Sequence, residues 1–414
     1  MKIVFGFFSP IKLVLFLSLT AIASLPVIAG EAAKTAVLIH AARVFDGNTM
    51  RTNTSVLVVG GIVSRIDARE TFKPDNLTVI DLGDATLLPG FIELHAHLGF
   101  QQVPADIVLK HGITTLRDVG GPLHPPYGGD GSLRVLTSGP IITAPNGYPI
   151  PALGTENIAV AVATEQQARE TVRALINGGA AVIKIALEPG GEAGAPWTLG
   201  HHHIDAEHGP HHTIDHIKSW PLLSEPMVRA IVDEAHKQDR KVTAHLSEAK
   251  GAKIAVNAGV DEWAHVPCGI IPDVLLKKAA AQQVKIVTTL DTLSKCSGVA
   301  HNADTWAKLG GEFLYGAEIA HPDIPWGIDA QELIAMMQLA KMPVLDVLRS
   351  ATSKAGRHLN VPLLGTLQPR APADMIAVQG NPTQALKILE YPDFVMSGGN
   401  CVLNNFEKQR LVSP

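Results

Sequence analysis

Thr86-Leu-Leu-Pro-Gly-Phe-Ile-Glu-Leu-His-Ala-His-Leu98 is the stretch on which the fold turns. An apolar run follows Pro-Gly, and side chains two apart on a strand share one face, so His95 and His97 project together from its carboxyl end. Two imidazoles on one side make half of a metal site. A lone His-x-His is weak by itself, but in parallel α/β barrels the carboxyl ends of the strands carry the chemistry.

On the amino-terminal side, residues 35–88 are short alternating segments broken by turn residues. Strands are expected at 36–40, 55–59 and 77–81, with Gly60-Gly61 as a hairpin turn. The same texture returns at 374–378 and 393–396, and Gly398-Gly399-Asn400 turns into 401–403. Between these ends the period changes. Apolar strands at 91–98, 114–119, 141–143, 181–187, 242–246, 263–266, 286–290 and 314–319 alternate with helical patterns such as 165–176, 225–237, 250–258 and 272–282. Repeated β-α units of this kind close into a (β/α)8 TIM-type barrel of about 250 residues. The competing doubly wound sheet would carry a glycine-rich phosphate loop after its first strand, and none is present.

Composition narrows the class. The chain has 414 residues, 46% apolar and 18% charged, which excludes a disordered chain. Its formal charge of −5, without a basic stretch interleaved with aromatics, argues against nucleic acid as a partner. Cys268, Cys296 and Cys401 allow one disulfide and match no close-spaced thiolate motif. Residues 1–29 read as a signal peptide: Lys2 and Lys12 flank the start, 13–29 is uncharged, and Val27-Ile28-Ala29 suits cleavage. The competing reading is a permanent anchor. General export to the periplasm or medium is expected, with no stable membrane anchor after cleavage.

Further motifs carry a resemblance. They are the stretch 88–97, Gly112-Ile-Thr-Thr-Leu-Arg-Asp118, Ala181-Val-Ile-Lys-Ile185, Val242-Thr-Ala-His245, Gly259-Val-Asp-Glu-Trp-Ala-His265 and the closing Gly365-Thr-Leu-Gln-Pro369 with Ala373-Asp374. Over nearly all of the mature chain the sequence resembles the amidohydrolase superfamily, in the branch similar to imidazolonepropionase and secreted prolidase-like enzymes. The resemblance implies a catalytic barrel over 91–365 and a small, discontinuous β-sandwich from 30–90 and 366–414. It also implies a one- or two-metal centre that activates water. The ligand set it implies is His95, His97, Lys184, His245 and His265, with Lys184 carbamylated by carbon dioxide to bridge two divalent ions, zinc being favoured by the histidines. The alternative reading of Lys184, from its apolar strand alone, is a snorkelling or salt-bridged lysine.

Strand 8 departs from the family pattern. Relatives carry Gly-Thr-Asp, whereas this chain reads Leu314-Tyr-Gly-Ala-Glu-Ile319. Glu318 is then the expected ligand and catalytic base. Two alternatives stand beside it: an impaired centre, or substitution by Asp323 or Asp329. Seven histidines lie within His201–His216. This segment reads as a polar lid, a metal-gathering loop or, through His216, a substrate contact. Tyr148 is a second substrate-binding candidate, Arg117 and Asp118 read as a structural ion pair, and Cys268 reads as packed. The expected activity is metal-dependent hydrolysis of a C–N amide bond in a small peptide-like or N-acyl amino acid substrate. The alternatives are an exported metal-binding or catalytically impaired homologue, or a lactonase, esterase or phosphotriesterase on the same centre. Self-association is left open.

Overall fold

A computed structural model describes residues 36–73, 77–190, 192–196, 219–321, 323–361 and 363–406. The expected signal peptide and the His201–His216 segment lie outside the described residues. Amino-terminal strands β1 (Ala36–Phe45), β2 (Met50–Val59), β3 (Ile62–Ala68), β4 (Thr78–Asp81) and β5 (Ala85–Pro89) lead into the quoted stretch. They are followed by β6 (Phe91–Ala96), β7 (Ile113–Asp118), β8 (Arg134–Thr137), β9 (Ile141–Thr143), β10 (Ala159–Ala161) and β11 (Ile183–Ala186). Next come β12 (Val242–His245), β13 (Glu262–Trp263), β14 (Lys285–Val287) and β15 (Glu312–Leu314). The last three are β16 (Met375–Gln379), β17 (Phe394–Ser397) and β18 (Asn400–Asn404).

The result is an α/β fold with mixed sheets. One sheet draws on both ends of the described chain, in the order β18-β17-β16-β5-β1-β2-β3, with β4 beside β1. β5 pairs antiparallel with β16, Pro89 facing Met375, and β6 then pairs parallel with β7. Thus Pro89-Gly90 is where the chain passes from one sheet to another. The remaining strands form parallel sheets, β6-β7-β8 and β10-β9-β11-β12-β13-β14-β15. Ala181 N–H, just ahead of β11, donates to the Thr137 carbonyl of β8 (2.8 Å), linking these two sheets. At the far side Ala96 bridges Ile319 in parallel.

Strand positions followed the expected pattern closely at 141–143 and 183–186, but β8 and β10 were not expected. Helix ends were legible because their caps are local. Thr164 accepts a hydrogen bond from Gln167 N–H at the start of helix Glu165–Asn177, and Ser224 accepts from Met227 N–H ahead of Glu225–His236. Those two helices lie side by side, joined by Arg173 and Glu234 at 2.9 Å. Trp263 of β13, fully buried, stacks on Trp306 of helix Val299–Lys308 with ring centroids 6.0 Å apart. Such burial, about 1.5–3 kcal/mol for each large apolar side chain, fixes the strands whose carboxyl ends hold the polar groups.

Because β5 takes one whole edge of hydrogen bonds from β16, truncation after Leu364 should leave that edge and the buried Leu87 and Leu88 without partners. The truncated chain should aggregate in size-exclusion chromatography, and a soluble, monodisperse product would contradict this dependence.

Candidate active site

Six residues expected to act together meet in one buried chain of contacts. Glu318 Oε1 lies 3.6 Å from His97 Nε2 and 4.0 Å from His95 Nε2, and Glu318 Oε2 lies 3.8 Å from His265 Nδ1. Lys184 Nζ is 3.4 Å from His95 Nε2. His265 Nε2 is 3.0 Å from His245 Nδ1. His95, His265 and Glu318 offer ligand atoms within 4.8 Å of one another. His95, Lys184, His245, His265 and Glu318 are all buried.

Local folding explains the convergence. On β6 the alternation turns His95 inward, and its Nδ1–H donates to the Ala264 carbonyl (2.8 Å), which leaves Nε2 as the lone-pair nitrogen facing Lys184 and Glu318. Gly316 lets the segment after β15 approach. A Cβ there would stand 2.3 Å from Val287 Cγ1 and 3.1 Å from His95 Cβ. Two residues on, Glu318 has φ +64°, a left-handed conformation uncommon for a residue with a side chain. Such outliers cluster at functional sites.

The electrostatics suit metal ligation. Burial, then the Lys184 charge, holds His95 well below the usual imidazole range; burial, then His245, does the same for His265. Both imidazoles are therefore neutral and able to give lone pairs. Burial brings the Lys184 ammonium down to about 7, although the Glu318 charge works the other way. Neutral imidazoles, a depressed lysine and a carboxylate, all buried and converging, fit one or two divalent ions.

Tyr148 stands at this site: its ring stacks on His245 (4.7 Å between centroids) and on Trp220 (5.4 Å). Burial, then the charges of Glu192, Glu318 and Glu188, pushes its hydroxyl well above the usual phenol range, so it remains a donor. His216 is outside the described residues. Asp323 is exposed, and Asp329 caps helix Ala330–Gln338 by accepting from Gln331 N–H (2.9 Å), so neither shares the cluster that holds Glu318. Cys268 is bonded to Cys296. The expected Arg117–Asp118 pair is corrected: Arg117 pairs with Glu262 at 2.6 and 3.1 Å, while Asp118 Oδ2 accepts from Gly99 N–H. Neighbours on a strand point to opposite faces, so adjacent residues cannot form that pair.

The sequence model of the Amidohydrolase family matches residues 86–404. The chain belongs to the amidohydrolase family. An uncharacterized protein of Mycobacterium tuberculosis is 26% identical over 357 residues, covering 78% of this chain and 86% of that protein. Ochratoxinase of Aspergillus niger is 26% identical over 247 residues, 56% of this chain and 47% of the fungal enzyme. In fold, this amidohydrolase is similar to a Xaa-Pro dipeptidase crystallised with bound methionine, at TM-score 0.72 and 22% identity over 89% of this chain and 99% of that one. It is also similar to a putative prolidase from Bifidobacterium longum, at TM-score 0.72 and 22% identity over 89% and 94% of the two chains. As a member of this family it is a hydrolase acting on C–N bonds.

Sequence reasoning missed Glu93, Glu188, Glu192 and Trp220. The two glutamates after Lys184, in Leu187-Glu-Pro-Gly-Gly-Glu192, lie just past a strand's carboxyl end, and that position was the available signal. Also unforeseen was a buried network below the site. Glu262 holds Arg117, and His358 Nε2 approaches Glu262 Oε2 at 2.5 Å. Burial works against the charge of Glu262, but Arg117 and His358 outweigh it and hold the carboxyl well below its usual range.

Glu262→Gln should therefore leave the Arg117 charge buried and unpaired, at a cost of about 3–5 kcal/mol in urea denaturation at pH 7. A carboxylate with a lowered folded pKa stabilises above its unfolded value, near about 4.3, and loses that contribution as pH falls. The gap between wild type and variant should consequently shrink below pH 4; a constant gap would assign the loss to packing.

Proposed function

We propose that this amidohydrolase cleaves the C–N amide bond of a small peptide-like or N-acyl amino acid substrate, using water. The observation that carries this reading is Glu318, a buried carboxylate within 4.0 Å of His95, His97 and His265. The similarity to a Xaa-Pro dipeptidase and a prolidase supports a peptide-like substrate. His95, His97, Lys184, His245, His265 and Glu318 would hold two divalent ions, zinc being favoured by the imidazoles. Bound there, such ions supply Lewis-acid polarisation of a carbonyl and lower the pKa of water.

The protein's own groups do the rest. Glu318 accepts the proton of the attacking water and passes it to the leaving nitrogen. Tyr148, kept protonated, offers its hydroxyl to a substrate oxygen, and His216 is assigned to the same task. Neutral Lys184 attacks the carbon of carbon dioxide, forming an N–C bond and releasing a proton, and becomes an anionic carbamate that balances cationic ions. The parallel strands, linked at Thr137 with Ala181 and at Ala96 with Ile319, support a (β/α)8 barrel over 91–365. The sheet built from both chain ends supports a small β-sandwich over 30–90 and 366–414. Export after cleavage at Ala29 is supported by the Cys268–Cys296 disulfide, a bond of oxidising compartments. Among the described residues no helix is long and apolar enough to cross a membrane.

Glu318→Gln keeps size and oxygen ligation but removes the base, so turnover of a dipeptide or N-acyl amino acid should fall by about 10²–10⁴ while metal content stays nearly intact. Wild-type turnover would move the base elsewhere. Lys184→Ala should lose at least one tightly held ion by plasma mass spectrometry. Since the neutral amine forms as pH rises through about 7, bicarbonate should reactivate the metal-stripped wild type in the presence of Zn²⁺ better at pH 8 than at pH 6. Full stoichiometry in Lys184→Ala would sink the bridging lysine.

A further inference from the structure

Two buried carboxylates beside the centre are not used by the hydrolytic reading. Glu188 and Glu192 follow β11 on the loop Leu187-Glu-Pro-Gly-Gly-Glu-Ala-Gly-Ala-Pro196 and are 1% and 2% exposed. Glu192 Oε1 lies 2.9 Å from His245 Nε2, on the opposite side of that ring from His265. Glu188 accepts from Gly190 N–H and from the Ser247 hydroxyl. Ligand atoms of Glu188, Glu192 and His245 lie within 4.8 Å of one another.

This is a built loop. Gly194 has φ +101°, and a Cβ on it would stand 2.6 Å from the Lys295 carbonyl oxygen, so the backbone lies directly against residues 295–296. Cys296 is in turn bonded to Cys268, three residues beyond His265. Ala195, fully buried, donates its N–H to the Glu192 carbonyl (2.9 Å), and Trp220 N–H donates to the Pro189 carbonyl (2.9 Å). The disulfide-clamped loop and the returning segment therefore hold the loop of Glu192 from both sides.

Glu188 and Glu192 are buried side by side, each with polar partners of its own. An imidazole within the same 4.8 Å cluster changes the chemistry. Two oxygens and one nitrogen form a three-ligand set for a zinc-like ion with an open position. We propose that Glu188, Glu192 and His245 form a divalent-cation subsite in which the Glu192 carboxylate is a ligand of the ion held by His245. This inference rests on the reading of His245 as a metal ligand. It extends that reading by making the centre continuous from Glu318 to Glu192 through the two rings of His265 and His245.

The test uses the purified protein loaded with Zn²⁺ and exposed to excess chromogenic chelator. Wild type should hold two tight ions. Glu192→Gln should release one of them at least about tenfold faster, because losing a ligand costs no less than the roughly 10–100-fold lost with a mere supporting group, and leave close to one ion by plasma mass spectrometry. Circular dichroism reports whether the variant folds. If it does not, Glu188→Gln, which leaves Glu192 and His245 in place, reads the same subsite by the same release kinetics. A wild type that holds no ion overturns the metal-centre reading and this subsite with it. Two ions in wild type, released at the same rate by the folded variants, overturn the subsite alone.

Discussion

The carboxylate of Glu93 ties the site together. From inside β6 it accepts hydrogen bonds from His95 N–H (2.6 Å) and Ala317 N–H (3.0 Å), so one buried side chain joins the strand that carries His95 and leads into His97 to the segment that carries Glu318. Burial, against those two bonds, pushes its carboxyl up to about 8. That is the expected outcome where desolvation is incompletely offset. Gly316 is part of the same arrangement, because a Cβ there would press on Glu93 Oε1 at 3.1 Å. The fold thus brings its first and last β-α units together through a polar contact inside an apolar shell.

What could be read from the sequence was what depends on short periods and local signals. His95 and His97 follow from the two-residue period of a strand, Lys184 from its anomaly in an apolar run, and the helices at 165–176 and 225–237 from their helical patterns. His245 and His265 were legible only as parts of a resemblance, since a spacing of twenty residues specifies no contact. Arg117 shows the limit. Its partner Glu262 is 145 residues away, and a long-range ion pair is chosen by packing, which no local pattern records. Glu188 and Glu192 escaped for a related reason: a loop has no period, and its carboxylates look like ordinary surface charge until the backbone folds them inward.

The rim carries its own framework. Cys268 follows His265 in the segment after β13, Cys296 lies in the loop beyond β14, and their bond fixes the surface on which Gly194 rests. On the other side of His245 the rings of Tyr148 and Trp220 stack in turn. Aromatic packing therefore orients the imidazole from one direction while Glu192 approaches it from another. In an interior of low dielectric such fixed partners act more strongly than they would in water, so loops contribute to the centre as firmly as strands do.

Glu318 stands where the family resemblance implies an aspartate, and its backbone accounts for how a longer side chain is accommodated. On one side Ala317 N–H is held by Glu93; on the other His97 N–H donates to the Ile319 carbonyl (3.0 Å). Both anchors belong to the stretch 86–98. Pinned between them, residue 318 takes its left-handed conformation, a strain on the order of 1–3 kcal/mol that persists only where surrounding bonds over-determine it. The strained turn leaves the carboxylate among three imidazoles without displacing either strand, and the anchors that impose it are the same strand that supplies two of those imidazoles. The position of residue 318 is therefore set from the stretch 86–98, so the motif from which the fold was read also determines where the Glu318 carboxylate stands.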